Sequence, residues 1–164
     1  HFDVEQISAE ELNHVSVSST KIRTALNEGN VALAKTYLGY AYPLTGTVVK
    51  GKQLGRTIGF PTANLQITES YKLIPENGVY AVQVFVKNAT YYGMLNIGTN
   101  PTVGGTAKTI EVHVFDFNED IYNELLTLRF LTRIRDEKKF DSLPLLINAI
   151  KEDEIFTREF IANL

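Results

Sequence analysis

Residues able to do chemistry concentrate in one polar run, Gly51-Lys52-Gln53-Leu54-Gly55-Arg56-Thr57-Ile58-Gly59-Phe60-Pro61-Thr62-Ala63-Asn64. Gly51, Gly55 and Gly59 let backbone N–H groups approach a phosphate chain and form an anion-binding concavity. Lys52 and Arg56 add positive charge. Thr62 and Asn64 stand two apart, so on an extended segment their oxygens share one face. Two neutral oxygens together with nucleotide phosphates complete the shell of Mg²⁺, which keeps waters and needs few protein ligands. The same composition equally describes a glycine-rich connection across a barrel that binds nothing. A second candidate is Glu111. On a strand, Ile110, Val112 and Val114 share one face and Glu111, His113 and Phe115 the other, leaving an acid in a mostly apolar segment. Such a glutamate is either a proton acceptor or a solvent-facing residue on a half-exposed strand.

Other motifs fail on their own chemistry. Asp116-Phe117-Asn118-Glu119-Asp120 opens like a calcium loop, but the sixth position is Ile121 instead of Gly and the twelfth is Thr127 instead of Glu. Gly51 to Thr57 is one residue short of a Walker A loop and carries Arg56 where that loop needs Lys. His1, His14 and His113 are too scattered for a zinc site, and the 164 residues contain no cysteine, which removes disulfides, thiolate metal sites and thiol catalysis. A net charge of -3 argues against nucleic-acid or anionic-membrane binding by bulk charge. No run of eighteen apolar residues is present, so no transmembrane helix is expected. The start, from His1, has no secretory features, which points to a cytoplasmic protein and to a piece of a longer chain.

The elements that must position these residues follow from periodicity. Ser8-Ala9-Glu10-Glu11 is a capping box, and Val15 to Val17 is briefly β-prone. Lys21 to Glu28, with Ile22, Ala25 and Leu26 on one face, and Val31 to Leu38 read as short helices closed by Gly29 and Gly39. This segment has too few large apolar residues for a core of its own. From Leu44 the pattern turns to alternation. Strands are expected at Leu44–Val49, Val79–Val86, Thr90–Ile97, Thr109–Phe117 and Leu125–Ile134, with a hairpin at Lys87-Asn88-Ala89 and a long polar loop from Gly51 to Thr62. Ser142 as N-cap, Pro144, and a stripe of Leu143, Leu146, Ile147 and Ile150 mark a closing helix. Arg129, Arg133 and Arg135 are expected on one strand face. The sum is a mainly β fold, a small antiparallel barrel with a C-terminal helix and a short helical segment in front.

Four blocks in order carry a resemblance. GRTIGFPTAN with Gly78-Val79-Tyr80-Ala81, then GMLNIGTNPT from Gly93, then IEVHVFDF from Ile110, then IRDEKKF from Ile134, closely resemble the riboflavin kinase family. In bacteria that domain usually forms the C-terminal half of a bifunctional riboflavin kinase/FAD synthetase. The resemblance implies a Greek-key barrel over residues 41–164 and ATP-dependent phosphorylation of riboflavin to FMN. It implies Glu111 as catalytic base, Gly51, Gly55, Arg56, Thr62 and Asn64 at the ATP, and Mg²⁺ or another divalent ion held with Thr62 and Asn64. It implies Asn96, Arg135 and Phe140 at the flavin, with Thr99 to Gly105 as a lining loop or mobile lid, and a structural role for His113. Val17-Ser18-Ser19-Thr20-Lys21-Ile22-Arg23 resembles the end of the FAD synthetase half, so residues 1–40 are expected to be its helical remnant and adenylyl transfer to belong to the full-length protein only. The partners implied are ATP, riboflavin and that neighbouring domain, with no nucleic acid and no membrane. A barrel that binds flavin or nucleotide without turnover, or one that serves oligomerisation, is the rival reading.

Overall fold

The structure, a computed structural model, describes residues 19–164. The capping box at Ser8–Glu11, the stretch Val15–Val17 and the first two residues of the VSSTKIR motif lie outside the described residues. Residues 19–27 form helix α1, and α2 is Val31–Leu38. Six strands follow: β1 Pro43–Val49, β2 Ala63–Gln66, β3 Gly78–Val86, β4 Ala89–Thr102, β5 Gly105–Val114 and β6 Leu125–Arg135. A one-turn helix α3, Leu54–Thr57, lies between β1 and β2, and α4, Leu143–Ala162, closes the chain.

The strands close into an antiparallel barrel in the order β1-β2-β5-β4-β3-β6. β3, β4 and β5 form a meander and β6 returns beside β3, which is a Greek key. Alternation decides the faces. Leu44, Val48, Tyr80, Val82, Val84, Leu95, Ile97, Val112, Leu126, Leu128 and Phe130 are buried together inside. The β3–β4 turn has positive φ at both Lys87 and Asn88 (50° and 61°), the two-residue turn whose twist suits a hairpin. The Ser142 hydroxyl accepts a hydrogen bond from the Leu145 N–H and starts α4. Within the expected stripe, Leu146, Ile147 and Ile150 are half-buried, whereas Leu143 is exposed.

The helical segment shares the barrel's core instead of forming one. Ala25, Leu26, Val31 and Ala34 are all at most 2% exposed and belong to the same apolar cluster as the strands. Small residues make this close approach possible. Gly29 (φ +74°) turns α1 into α2 and lies so near Arg133 and Tyr80 that a side chain there would collide with both. The Glu76 N–H donates to the carbonyl of Leu26 at 3.1 Å, tying the loop before β3 to α1.

Three expectations need correction. Gly51 to Thr62 is not loop throughout, because α3 interrupts it. Thr99 to Gly105 is not a lid loop: β4 and β5 stay paired from Thr99↔Lys108 to Thr102↔Gly105, so the glycines serve a tight hairpin end. Arg129 and Arg135 share the outer face, but Arg133 does not. Two register shifts on β6 leave Arg129 opposite Gln83, Arg133 opposite Tyr80 and Arg135 opposite Val79. Each bulge adds one residue and reverses the alternation beyond it. Arg129 therefore lies over Phe85 on the outer face, and Arg133 meets the Tyr80 ring at the barrel end.

Because Leu26 is buried against the strands, Leu26→Ala should destabilise the whole domain by about 2–5 kcal/mol, as a large-to-small core change does. Urea unfolding followed by tyrosine fluorescence checks this. A loss below about 0.5 kcal/mol, typical of surface positions, would mean α1 is not part of the core.

Candidate active site

The ladder registers assemble the candidate residues. Asn64 on β2 pairs with Glu111 on β5, and Glu111 pairs with Asn96 on β4. The same row continues through Val79 on β3 to Arg135 on β6. Paired residues share a face, and since Leu65, Leu95, Val112 and Tyr80 point inward, this row lies outside the barrel. α4 packs across the outer face, with Leu146, Ile150 and Asp153 turned toward it. A cleft of about 220 Å³ remains between helix and barrel, and Thr62, Asn96, Glu111, Arg135 and Phe140 line it. A second cleft, of about 290 Å³, is bounded by Gln53, Arg56, Thr62, Phe117, Ile121 and Tyr122. Thr62 is common to both.

Local structure explains how the glycine-rich segment reaches this position. A Cβ on Gly51 would collide with the amide of Asn64, so the missing side chain is the space Asn64 occupies. A Cβ on Gly55 would collide with the carbonyl of Phe60, and the Gly55 carbonyl accepts hydrogen bonds from the N–H groups of Ile58 (3.2 Å) and Phe60 (2.8 Å). That tight turn delivers Pro61 and Thr62 to β5. His113 Nδ1 lies 2.7 Å from the Pro61 carbonyl, and its ring meets Phe60 and Phe115 edge-on at 5.5 and 5.8 Å. His113 anchors the segment. Arg56 sits on α3, exposed, on the wall of the second cleft only. Gln53 crosses that cleft, its Nε2 donating to the Tyr122 hydroxyl at 3.4 Å.

Burial raises the pKa of Glu111 above the ordinary carboxylate range, and the nearby charge of Lys52 partly opposes it. Its row neighbours Asn64 and Asn96 are neutral. Among the described residues no group of three His, Cys, Asp or Glu is placed to hold a metal ion. Two neutral side-chain oxygens, from Thr62 and Asn64, fit a divalent ion that arrives on nucleotide phosphates and retains waters, not one held by protein alone.

Asp153 and Thr157 are buried at the α4–barrel contact, and sequence reasoning passed over both. The signal was present. Leu146 and Ile150, continued by helical steps, lead to Asp153 and Thr157 on the same face. An acid on an otherwise apolar stripe is the mark of a buried partner. Arg135 supplies it, at 2.8 Å.

A family model described as Flavokinase: Riboflavin kinase matches residues 38–161, a span that contains every strand, both clefts and nearly all of α4. The chain is 42% identical over 164 residues to the bifunctional riboflavin kinase/FMN adenylyltransferase of Listeria monocytogenes, covering 99% of this chain and 52% of that protein. It spans about half the length of the curated relatives it matches. A solved structure named as a macrolide-efflux protein from Streptococcus pneumoniae matches with a TM-score of 0.84 at 39% identity, over 96% of this chain and 57% of that one. No helix among the described residues is long and apolar enough to cross a membrane. Riboflavin kinase from Trypanosoma brucei matches with a TM-score of 0.55 at 28% identity, over 73% of this chain and 76% of that one. With the six-stranded barrel, the relatives and the matched span all in agreement, the chain belongs to the riboflavin kinase family.

Proposed function

We propose that this domain transfers the γ-phosphoryl group of ATP to the terminal ribityl hydroxyl of riboflavin, giving FMN and ADP. The observation that carries this reading is the junction at Thr62. Two clefts meet there, and Glu111 stands in one of them beside neutral Asn64 and Asn96. A nucleotide in the cleft of Arg56 and Tyr122 and a flavin in the cleft of Arg135 and Phe140 would face each other across Thr62. Arg56, with the backbone turn shaped by Gly51 and Gly55, holds the phosphates.

Glu111 accepts the proton of the ribityl hydroxyl as that oxygen bonds to the γ-phosphorus. The bond from the γ-phosphorus to the β–γ bridging oxygen breaks, and ADP leaves with the electron pair. Little covalent work falls to the protein in such a transfer, so alignment and charge stabilisation supply most of the acceleration. Thr62 and Asn64 would hold Mg²⁺ with the ATP phosphates, where the ion's charge offsets that of the transferred group. A base with a raised pKa binds the hydroxyl proton more strongly than an ordinary carboxylate does. In the full-length protein we expect an FAD synthetase domain in the same chain, with residues 1–40 derived from it, and a cytoplasmic location where ATP is at hand.

Glu111→Gln should reduce turnover by about 10²–10⁴-fold with small changes in either KM, measured as FMN formed from riboflavin and MgATP by chromatography. Near-normal turnover would remove Glu111 from the proposal. In the unmodified chain the acid limb of the kcat profile should lie above the usual glutamate range.

The same substitution has a stability signature. The folded state holds the Glu111 proton more tightly than the unfolded state. Its contribution is therefore favourable below the unfolded pKa of about 4.3 and is lost as pH rises through the folded value. Glu111→Gln should melt higher than wild type at pH 8, with the difference shrinking toward pH 4. Equal melting temperatures at pH 8 would contradict a desolvated carboxylate.

A further inference from the structure

Arg135 and Asp153 form the only ion pair among the described residues with both partners on the wall of one cleft. Asp153 is nearly sealed, its side chain 7% exposed, while that of Arg135 is 27% exposed. The fork is tight. Arg135 Nε donates to both carboxylate oxygens at 2.9 and 3.1 Å, and Nη2 donates to Oδ2 at 2.8 Å. Nη1 donates to the carbonyl of Asp136 at 3.1 Å. Three of the five N–H groups of the guanidinium are thereby engaged, and two are left. The guanidinium also lies 5.6 Å from the centre of the Phe140 ring.

Stability alone is a poor reason for this arrangement. A buried ion pair gains little over well-packed apolar side chains, because both charges must leave water. α4 also has a separate clasp away from the cleft. There Arg158 lies 4.3 Å from the Phe115 ring centre and reaches Asp116 at 3.3 Å and Glu154 at 2.9 Å. The inner pair differs in its place on the cleft wall, and its bidentate geometry fixes the plane of the guanidinium as well as its position.

We infer that Asp153 is a positioning residue for the flavin cleft: it holds the Arg135 guanidinium beside Phe140, so that its two remaining donors meet a planar, carbonyl-bearing ring. The inference rests on the proposed function and names a residue through which that cleft selects its substrate. Asp153 acts on the flavin through Arg135 and makes no contact with the reacting atoms.

Asp153→Asn in this chain tests it. The riboflavin KM should rise about tenfold or more, the scale of a misplaced hydrogen bond to a charged group, while the MgATP KM stays at the wild-type value. The change should fall mainly on KM, with kcat within about threefold. Asp153→Glu should restore part of the loss. Arg158→Met, which opens the outer clasp, should lower the melting temperature and leave the riboflavin KM unchanged. A folded Asp153→Asn with wild-type riboflavin KM, or an equal rise in Arg158→Met, overturns the inference. If Asp153→Asn does not fold, the double change Arg135→Met with Asp153→Leu removes both charges; it should fold and show the same rise, and a wild-type KM overturns the inference there too. Should the unmodified chain make no FMN, the functional reading fails separately. Quenching of riboflavin fluorescence then decides the inference by binding alone, with weaker binding by Asp153→Asn expected and equal binding overturning it.

Discussion

The pairing of Asn64 with Glu111, and of Glu111 with Asn96, places three polar residues from three strands in one row, and everything the site does depends on that register. The register is set from the other side of the sheet. Leu65, Leu95 and Val112 face the core on the same strands, and a slip of one residue would turn them outward and bury the polar row. Hydrophobic burial inside the barrel thus positions the chemistry outside it. No interaction within the row itself has to be strong, which leaves Glu111 between neutral neighbours.

That location asks for a cover, and two parts of the chain supply it. α4 lies over the row and makes a cleft of what would be an open sheet face, and the segment from Gly51 to Thr62 folds over from the opposite side. Burial between them raises the Glu111 pKa. The carboxylate is kept where its charged form is least comfortable, so stability is given up for proton affinity, a common exchange at working sites. The ion pair of Arg135 with Asp153 joins the cover to the barrel at the far end of the same row.

Much of this was legible from the residues. The β5 alternation separates Glu111 from Ile110 and Val112 because one face is apolar and the other is not. Ser142 and Pro144 announce α4 through capping chemistry. Other features leave no such trace. Beyond Ile97 the β4–β5 ladder pairs polar residues, such as Thr99 with Lys108, so no hydrophobic period marks it and its glycines imitate a lid. A bulge adds a residue without altering composition, which is why Arg133 and Arg135 read as neighbours on one face although the fold separates them. Ala25 and Ala34 look too small to matter to a core, yet their size is what lets α1 and α2 approach the barrel closely. Asp153 does leave a trace, on the stripe that Leu146 and Ile150 begin, but the partner that explains its burial, Arg135, lies on another element, β6.

On the reading above, the outer row is where the phosphoryl group changes hands. A crystal structure of this chain with ADP, Mg²⁺ and riboflavin tests it most directly. The ribityl terminal oxygen should lie about 2.6–3.2 Å from the Glu111 carboxylate, the reach of a general base. The ADP phosphates should lie at Thr62 and the flavin ring against Phe140. A flavin seated elsewhere, or a ribityl hydroxyl out of hydrogen-bond reach of Glu111 with no bridging water, would contradict it.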